Sequence, residues 1–299
     1  MNIRTARLIG GVAAMAALAG CQDLENDNQS GQRLPILALN FPLEIEQRRD
    51  FVLTGELTQG GWVRGKVPDG TVSVALGDTK LPLGPDGGFF AGFDRDAESD
   101  VLLTAKLEDG SNVQRSLVIS PRDWQIEHVN VARKPGRSSD AFRKRRAPEL
   151  EAIYLARQEA TGAEGWQQQF IWPVKGRISG RFGSQRVYRG EPGSYHSGMD
   201  ISTGKGGSPF VAPADGVVVL AAQDFSLEGN LLIIDHGQGL NSAFLHASRL
   251  MVEAGDRVSQ GQHIGNIGSS GRATGPHLHW GIKWNNARLD PLLFVPPQD

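Results

Sequence analysis

The sequence contains a single cysteine, Cys21, in 299 residues. No intramolecular disulfide can form, so stability has to come from packing or from a bound ion. It also lacks an excess of charge of either sign, with 31 Lys and Arg against 33 Asp and Glu and a formal net charge of -2. That balance excludes the global basic field that holds nucleic acid. Aromatic residues make up only 7%. Beyond the N-terminal segment no apolar run approaches the length of a membrane span. Glycine, by contrast, is plentiful at 38 residues, within an ordinary apolar fraction of 39%. Such a composition favours short strands and tight turns over long helices, and a mainly β fold is expected.

The N-terminal segment MNIRTARLIGGVAAMAALAGC starts with Arg4 and Arg7, continues through an uncharged stretch from Leu8 to Ala19, and ends in small residues before Cys21. This is the layout of a secretory signal peptide over residues 1–20. The tetrapeptide Leu18-Ala19-Gly20-Cys21 resembles the bacterial lipobox. The resemblance implies cleavage before Cys21, lipidation of its thiol and anchoring of the chain to a membrane. Gln22, rather than aspartate, follows the cysteine. This resembles lipoproteins sorted to the outer membrane and facing the periplasm. Residues 21–33 then read as a polar, flexible tether.

Residues 34–131 carry short strand-like runs, among them Thr71 to Leu76, Phe89 to Phe93 and Val101 to Leu107. Turn signals separate them at Pro68-Asp69-Gly70, Pro85-Asp86-Gly87-Gly88 and Asp109-Gly110. Six or seven strands at this spacing predict a small β-sandwich without a titratable cluster, an accessory module for positioning or binding. Residues 132–165 form a basic linker containing Lys134, Arg137 and Arg143 to Arg146. A helix is expected to open at Pro148 and close at Gly162, with an apolar face of Leu150, Ile153, Tyr154 and Ala160. Residues 166–299 are again strand-rich. They predict a compact antiparallel β-domain with strands near 217–221, 231–235, 242–245 and 278–284.

Six of the seven histidines lie between positions 196 and 279. His277 and His279 are two apart, so on a strand both imidazoles project from one face while Leu278 turns to the other. His196 and Asp200 are separated by an even number of positions, and one extended or turned segment can present both to one side. Two histidines and one carboxylate leave a fourth tetrahedral position for water, the pattern of a catalytic rather than a structural zinc site. His246, in Phe244-Leu245-His246, adds a further imidazole. His236 reads as a structural hydrogen-bonder, His263 as an exposed residue of a strand-like stretch, and His128 lies outside this domain with no partner in view.

Residues 170 to 293 resemble the lysostaphin/LytM family of zinc metalloendopeptidases. The matching stretches are Gly176-Arg-Ile-Ser-Gly-Arg-Phe-Gly183, His196 to Asp200, Val211-Ala-Pro-Ala-Asp-Gly216, Ile234-Asp-His-Gly237, Phe244 to His246 and Gly275 to His279. The resemblance implies that His196, Asp200 and His279 hold one Zn2+ ion and that His246 and His277 are the catalytic pair. It further implies hydrolysis of peptide cross-bridges in bacterial peptidoglycan. In an outer-membrane setting the expected target is a cross-link of D-alanine and diaminopimelate, a glycine-rich bridge being the alternative. Some relatives have lost metal ligands and activate cell-wall amidases instead, whereas all five residues are present here. Phe244 and Trp280-Gly281 depart from the family pattern, which more often has tyrosine at the first position and an aromatic followed by glutamate at the second. These departures are expected to alter the substrate groove.

Overall fold

The computed structural model describes residues 47–132 and 139–298. The signal peptide, Cys21, the tether and residues 34–46 of the expected β region lie outside the described residues. Among the described residues no helix is long and apolar enough to cross a membrane.

The first half contains β1 (Val52–Glu56), β2 (Trp62–Lys66), β3 (Thr71–Leu76), β4 (Thr79–Leu81), β5 (Gly88–Gly92), β6 (Asp100–Leu107), β7 (Asn112–Val118) and β8 (Ile126–Val129). They form a three-stranded sheet in the order β1-β2-β5 and a four-stranded sheet in the order β4-β3-β6-β7. The last strand, β8, belongs to neither. It pairs in parallel with β10 (Gln185–Tyr188), and β10 pairs in turn with β11 (Glu191–Pro192). This strand was not expected, because its residues are almost all exposed and show no alternation of apolar with polar side chains.

The second half is built on a ten-stranded sheet. Its strands are β9 (Arg177–Gly180), β12 (Met199–Ser202), β13 (Pro209–Val211), β14 (Gly216–Phe225), β15 (Gly229–Gly237), β16 (Leu240–Leu250), β17 (Arg257–Val258), β18 (His263–Ile267), β19 (Leu278–Trp284) and β20 (Ala287–Leu289). The main path runs β17-β14-β15-β16-β19-β12-β9, and every pairing within this sheet is antiparallel.

One apolar core joins the two halves: Phe89, Phe90, Leu103 and Leu117 belong to the same cluster as Phe244, Trp280, Leu289 and Phe294. Trp62 stacks on Phe90 at 6.0 Å and lies 5.4 Å from Phe294. Each such side chain contributes roughly 1.5–3 kcal/mol when fully buried. Polar ties reinforce the junction. Trp62 Nε1 donates to the Leu293 carbonyl at 2.9 Å, and Arg122 pairs with the buried Asp290 at 2.8 Å. Residues from Glu46 to Asp299 accordingly form one compact unit.

The helix, α1 (Asp140–Ala156), begins eight residues before the expected start. Ser139 caps it, its side chain accepting a hydrogen bond from the Phe142 amide at 3.1 Å. Such a cap stabilises a helix start by about 1 kcal/mol. Pro148 therefore sits inside the helix rather than at its first turn. Arg143 to Arg146 of the basic linker lie within the helix and part of this run is paired, whereas Lys134 and Arg137 lie outside the described residues. Arg146 forks onto Glu228 at 2.6 and 2.7 Å and also meets Glu149 at 2.9 Å. Glu149 in turn accepts from the Ser226 amide at 2.8 Å.

The buried face of α1 differs from the expected one. Ile153 and Ala156 pack on Val219, Leu231, Ile233 and Ala243 of the sheet. Leu150 and Tyr154 stay 51% and 63% exposed. The ion-pair cluster at Glu149 and Arg146 fixes the rotation of the helix, and the two apolar side chains are left outside.

Candidate metal centre

Antiparallel register brings the histidines together. Asp200 on β12 is the direct Cα partner of His279 on β19. Leu245 on β16 is the partner of His279 on the other side. Asp200 Oδ1 lies 2.8 Å from His279 Nδ1 and 3.1 Å from His196 Nε2, and the two imidazole nitrogens are 3.1 Å apart. Three donor atoms from two strands and the preceding loop thus converge on one point, in a group able to hold a metal ion. His196 Nδ1 is 3.0 Å from the Arg181 carbonyl, which orients the ring so that Nε2 faces Asp200.

Two glycines make room for this convergence. A Cβ at position 180 would lie 2.4 Å from Asp200 Oδ2, and one at position 198 would lie 2.7 Å from His279 Nε2. Both positions require backbone without a side chain.

Beside the donor group stand His246 and His277, their ring centroids 5.0 Å apart. His277 Nδ1 is 2.8 Å from the Gly275 carbonyl, and its Nε2 faces Asp200 Oδ1 at 3.7 Å. His246 Nδ1 is 2.8 Å from the Ser270 carbonyl, which likewise leaves Nε2 as the second ring nitrogen. Simple alternation would turn His246 away from the face that carries Leu245. The register between β15 and β16 shifts here, Leu232 facing Phe244 and Asn230 facing Ala247. Three steps on one strand oppose two on the other, a bulge that redirects the side chain. His246 has a φ of 66° within it, a left-handed conformation costly for a non-glycine residue and typical of functional positions. No sequence pattern signals this bulge.

The electrostatics follow from burial and from Asp200. Burial opposes ionisation of Asp200, but hydrogen bonds and charges from His196 and His279 outweigh it and lower its pKa well below the ordinary carboxylate range. For His196, burial disfavours the charged form, yet Asp200 and the Arg181 carbonyl raise the pKa above 6.5. Burial dominates for His279 and for His246 and lowers both. The other histidines stand apart from the site. His236 is fully buried, with Nδ1 2.8 Å from the Asp215 carbonyl and Nε2 2.9 Å from Ser242 Oγ. Burial pushes its pKa down to about 4. His263 and His128 are exposed.

The groove is shaped by residues other than two of those expected to alter it. Phe244 and Trp280 are fully buried, their rings stacked 4° from parallel on the core side of the sheet. Of the residues in these two departures only Gly281 borders a cavity at the site. On the β10–β11 side, Arg181, Arg186, Tyr188, Tyr195 and Arg272 line with His196 a cleft of about 1190 Å³.

Residues 194–291, which span His196 to β20, match peptidase family M23. The chain carries a peptidase M23 domain. The M23 region is 39% identical over 117 residues to peptidoglycan DD-endopeptidase ShyA of Vibrio cholerae, a match covering 38% of this chain and 26% of that one. It is 34% identical over 125 residues to murein hydrolase activator NlpD of Escherichia coli K12, covering 42% and 31%. The chain thus spans well under half the length of the curated relatives it matches. A crystal structure assigned to peptidase M23 from Pseudomonas aeruginosa superimposes with a TM-score of 0.60 at 24% identity, covering 80% of this chain and 94% of that one. That likeness shows that the fold extends beyond the M23 domain into the N-terminal β region.

Proposed function

We propose that the protein is an endopeptidase that holds one zinc ion and hydrolyses peptide cross-links of bacterial peptidoglycan. The observation that carries this reading is the meeting of five side chains from separate strands and loops: three donors within 3.1 Å of one another and two imidazoles beside them. Two nitrogens and one carboxylate oxygen suit zinc and leave a coordination place open. A bound ion would supply Lewis-acid activation of water and of the scissile carbonyl.

The protein's own groups do the rest. His196, Asp200 and His279 would hold the ion. His246, neutral because burial disfavours its charge, presents Nε2 to take the proton of the attacking water and pass it to the leaving amine. His277, with Nδ1–H donated to the Gly275 carbonyl, presents Nε2 at the same side, and in its doubly protonated form that nitrogen can donate to the developing oxyanion. The envelope setting belongs to the same reading. Cys21 would be lipidated and hold the chain at the outer membrane facing the periplasm, with peptidoglycan in reach. Residues 34–131 would form an accessory module and residues 166–299 the peptidase domain.

A second reading is supported by the likeness to the NlpD activator: binding and activation of cell-wall amidases without hydrolysis. Digestion of purified sacculi by the full chain in detergent separates the two. Zinc-dependent release of peptides, lost with chelator and in His279→Ala, is the expected result. Absence of release from zinc-loaded protein, together with stimulation of an added amidase, would establish the second reading instead.

A further inference from the structure

A second cavity, of about 380 Å³, opens between α1 and the sheet and reaches the metal centre, since His279 lines it together with Arg157, Lys283 and Arg288. Its walls combine apolar surface from Leu150, Ile153 and Leu245 with these three cations. Glu228, the one acidic residue of the lining, is already engaged in the fork with Arg146. The lining therefore holds three cations against one carboxylate, and Glu228 acts on Arg157 only through space.

Arg157 is the most informative of the three. Its Nε and Nη1 are buried and make no hydrogen bond. Leaving a buried charged donor unsatisfied is costly, so these two donors call for an acceptor from outside the chain, water or an anionic group. Burial together with the charge of Arg288 lowers the Arg157 pKa to about 10, and burial together with Arg157 lowers that of Lys283 to about 8. Both side chains are still cationic at neutral pH, although Arg288 destabilises the charge of each. Gly281 borders the same cavity without a side chain, on the Nε2 side of the His279 ring.

We propose that this cavity seats a free carboxylate of the substrate, carried by the residue whose amine is released, with Arg157, Lys283 and Arg288 as its counter-charges. The inference rests on the endopeptidase reading and narrows it to a substrate class. A diamino acid cross-linked through one amine keeps a carboxylate on the carbon that bears that amine, only a few bonds from the scissile carbonyl. A guanidinium with two free donors is suited to bind such a group in a forked geometry. A glycine bridge offers no carboxylate at that place, and the cations would remain unpaired.

The test uses the full chain and a matched pair of cross-linked peptides, identical except that the diaminopimelate carboxylate next to the scissile bond is free in one and a carboxamide in the other. Binding is read by fluorescence polarisation on chelator-stripped protein, and turnover on zinc-loaded protein. The free acid is expected to bind at least tenfold more tightly and to be cleaved with a correspondingly lower KM. Arg157→Met should abolish this preference while its Tm stays equal or rises, because a buried unpaired charge has been removed. Equal affinity of the wild-type chain for both peptides, or a preference that survives in the Arg157→Met/Lys283→Met double variant, overturns the proposal. A tenfold binding preference without cleavage of either peptide would leave the carboxylate site intact and defeat the endopeptidase reading alone.

Discussion

Asp200 stands directly opposite His279 across the ladder between β12 and β19, with Oδ1 2.8 Å from Nδ1. An ion seated there would clasp two adjacent strands and, through His196, the loop that precedes β12. Binding to the folded state alone should therefore stabilise the fold. At a thousandfold excess over the dissociation constant the gain is about 4 kcal/mol. Adding chelator is expected to lower the Tm of the wild-type chain measurably and to leave that of Asp200→Ala unchanged. An identical response of the two proteins in scanning calorimetry would contradict a metal at this place.

Loss of His246 should separate chemistry from metal binding. His246→Ala is expected to reduce kcat by about 10²–10⁴-fold, the usual contribution of a positioned acid or base, while one zinc per chain is retained. His196→Ala should instead lose the ion. Metal analysis by mass spectrometry beside initial rates decides between these outcomes, and a His246→Ala protein without zinc would make that residue a ligand.

The pH profile has a predicted sign. Burial lowers the His246 pKa below the ordinary 6.5, so the neutral form needed to accept a proton persists into mildly acidic solution. As pH falls through that lowered pKa, kcat/KM should decline, with the midpoint of the acid limb below 6.5. A midpoint above 6.5 would count against His246 as the base.

Stability should fall over a neighbouring range for a different reason. His236 is neutral in the core, with a pKa of about 4 against 6.5 when exposed. The unfolded chain binds this proton first, so the contribution is fully present above pH 6.5 and is lost progressively towards about pH 4. At roughly 1.4 kcal/mol for each pH unit of displacement, the loss is ~3 kcal/mol. Urea melts between pH 7 and 4 on wild type and His236→Gln test this: the wild-type slope should exceed that of the variant. Parallel slopes would assign acid lability elsewhere.

Much of this was legible in the amino-acid order, and the exceptions have identifiable causes. The His277–His279 pair announces itself by strand alternation, and the spacing of His196 and Asp200 fits one turned segment. The strands between 217 and 284 stand near where their apolar runs predict. The aim of His246 was not readable, because it depends on a one-residue bulge between β15 and β16. The sequence places the helix start at Pro148, a strong signal for a first turn, whereas tertiary contacts of Arg146 with Glu228 and of Glu149 with Ser226 hold a longer helix that starts after Ser139. Strand β8 carries no such signal, because an exposed edge strand needs no apolar pattern. The cavity at Arg157 arises from the docking of a helix on strands distant in sequence, which no local pattern encodes.

The parallel pairing of β8 with β10 has a consequence for any attempt to shorten the chain. Cutting at the expected boundary near residue 166 would strip β10 of its neighbour. An unpaired row of amide and carbonyl groups would then lie along the hairpin that shapes the rim leading to His196. Bare rims of this kind recruit strands from other molecules. A peptidase fragment prepared in that way would tend to self-associate and present a distorted mouth, so weak turnover by the fragment would say little about the whole protein.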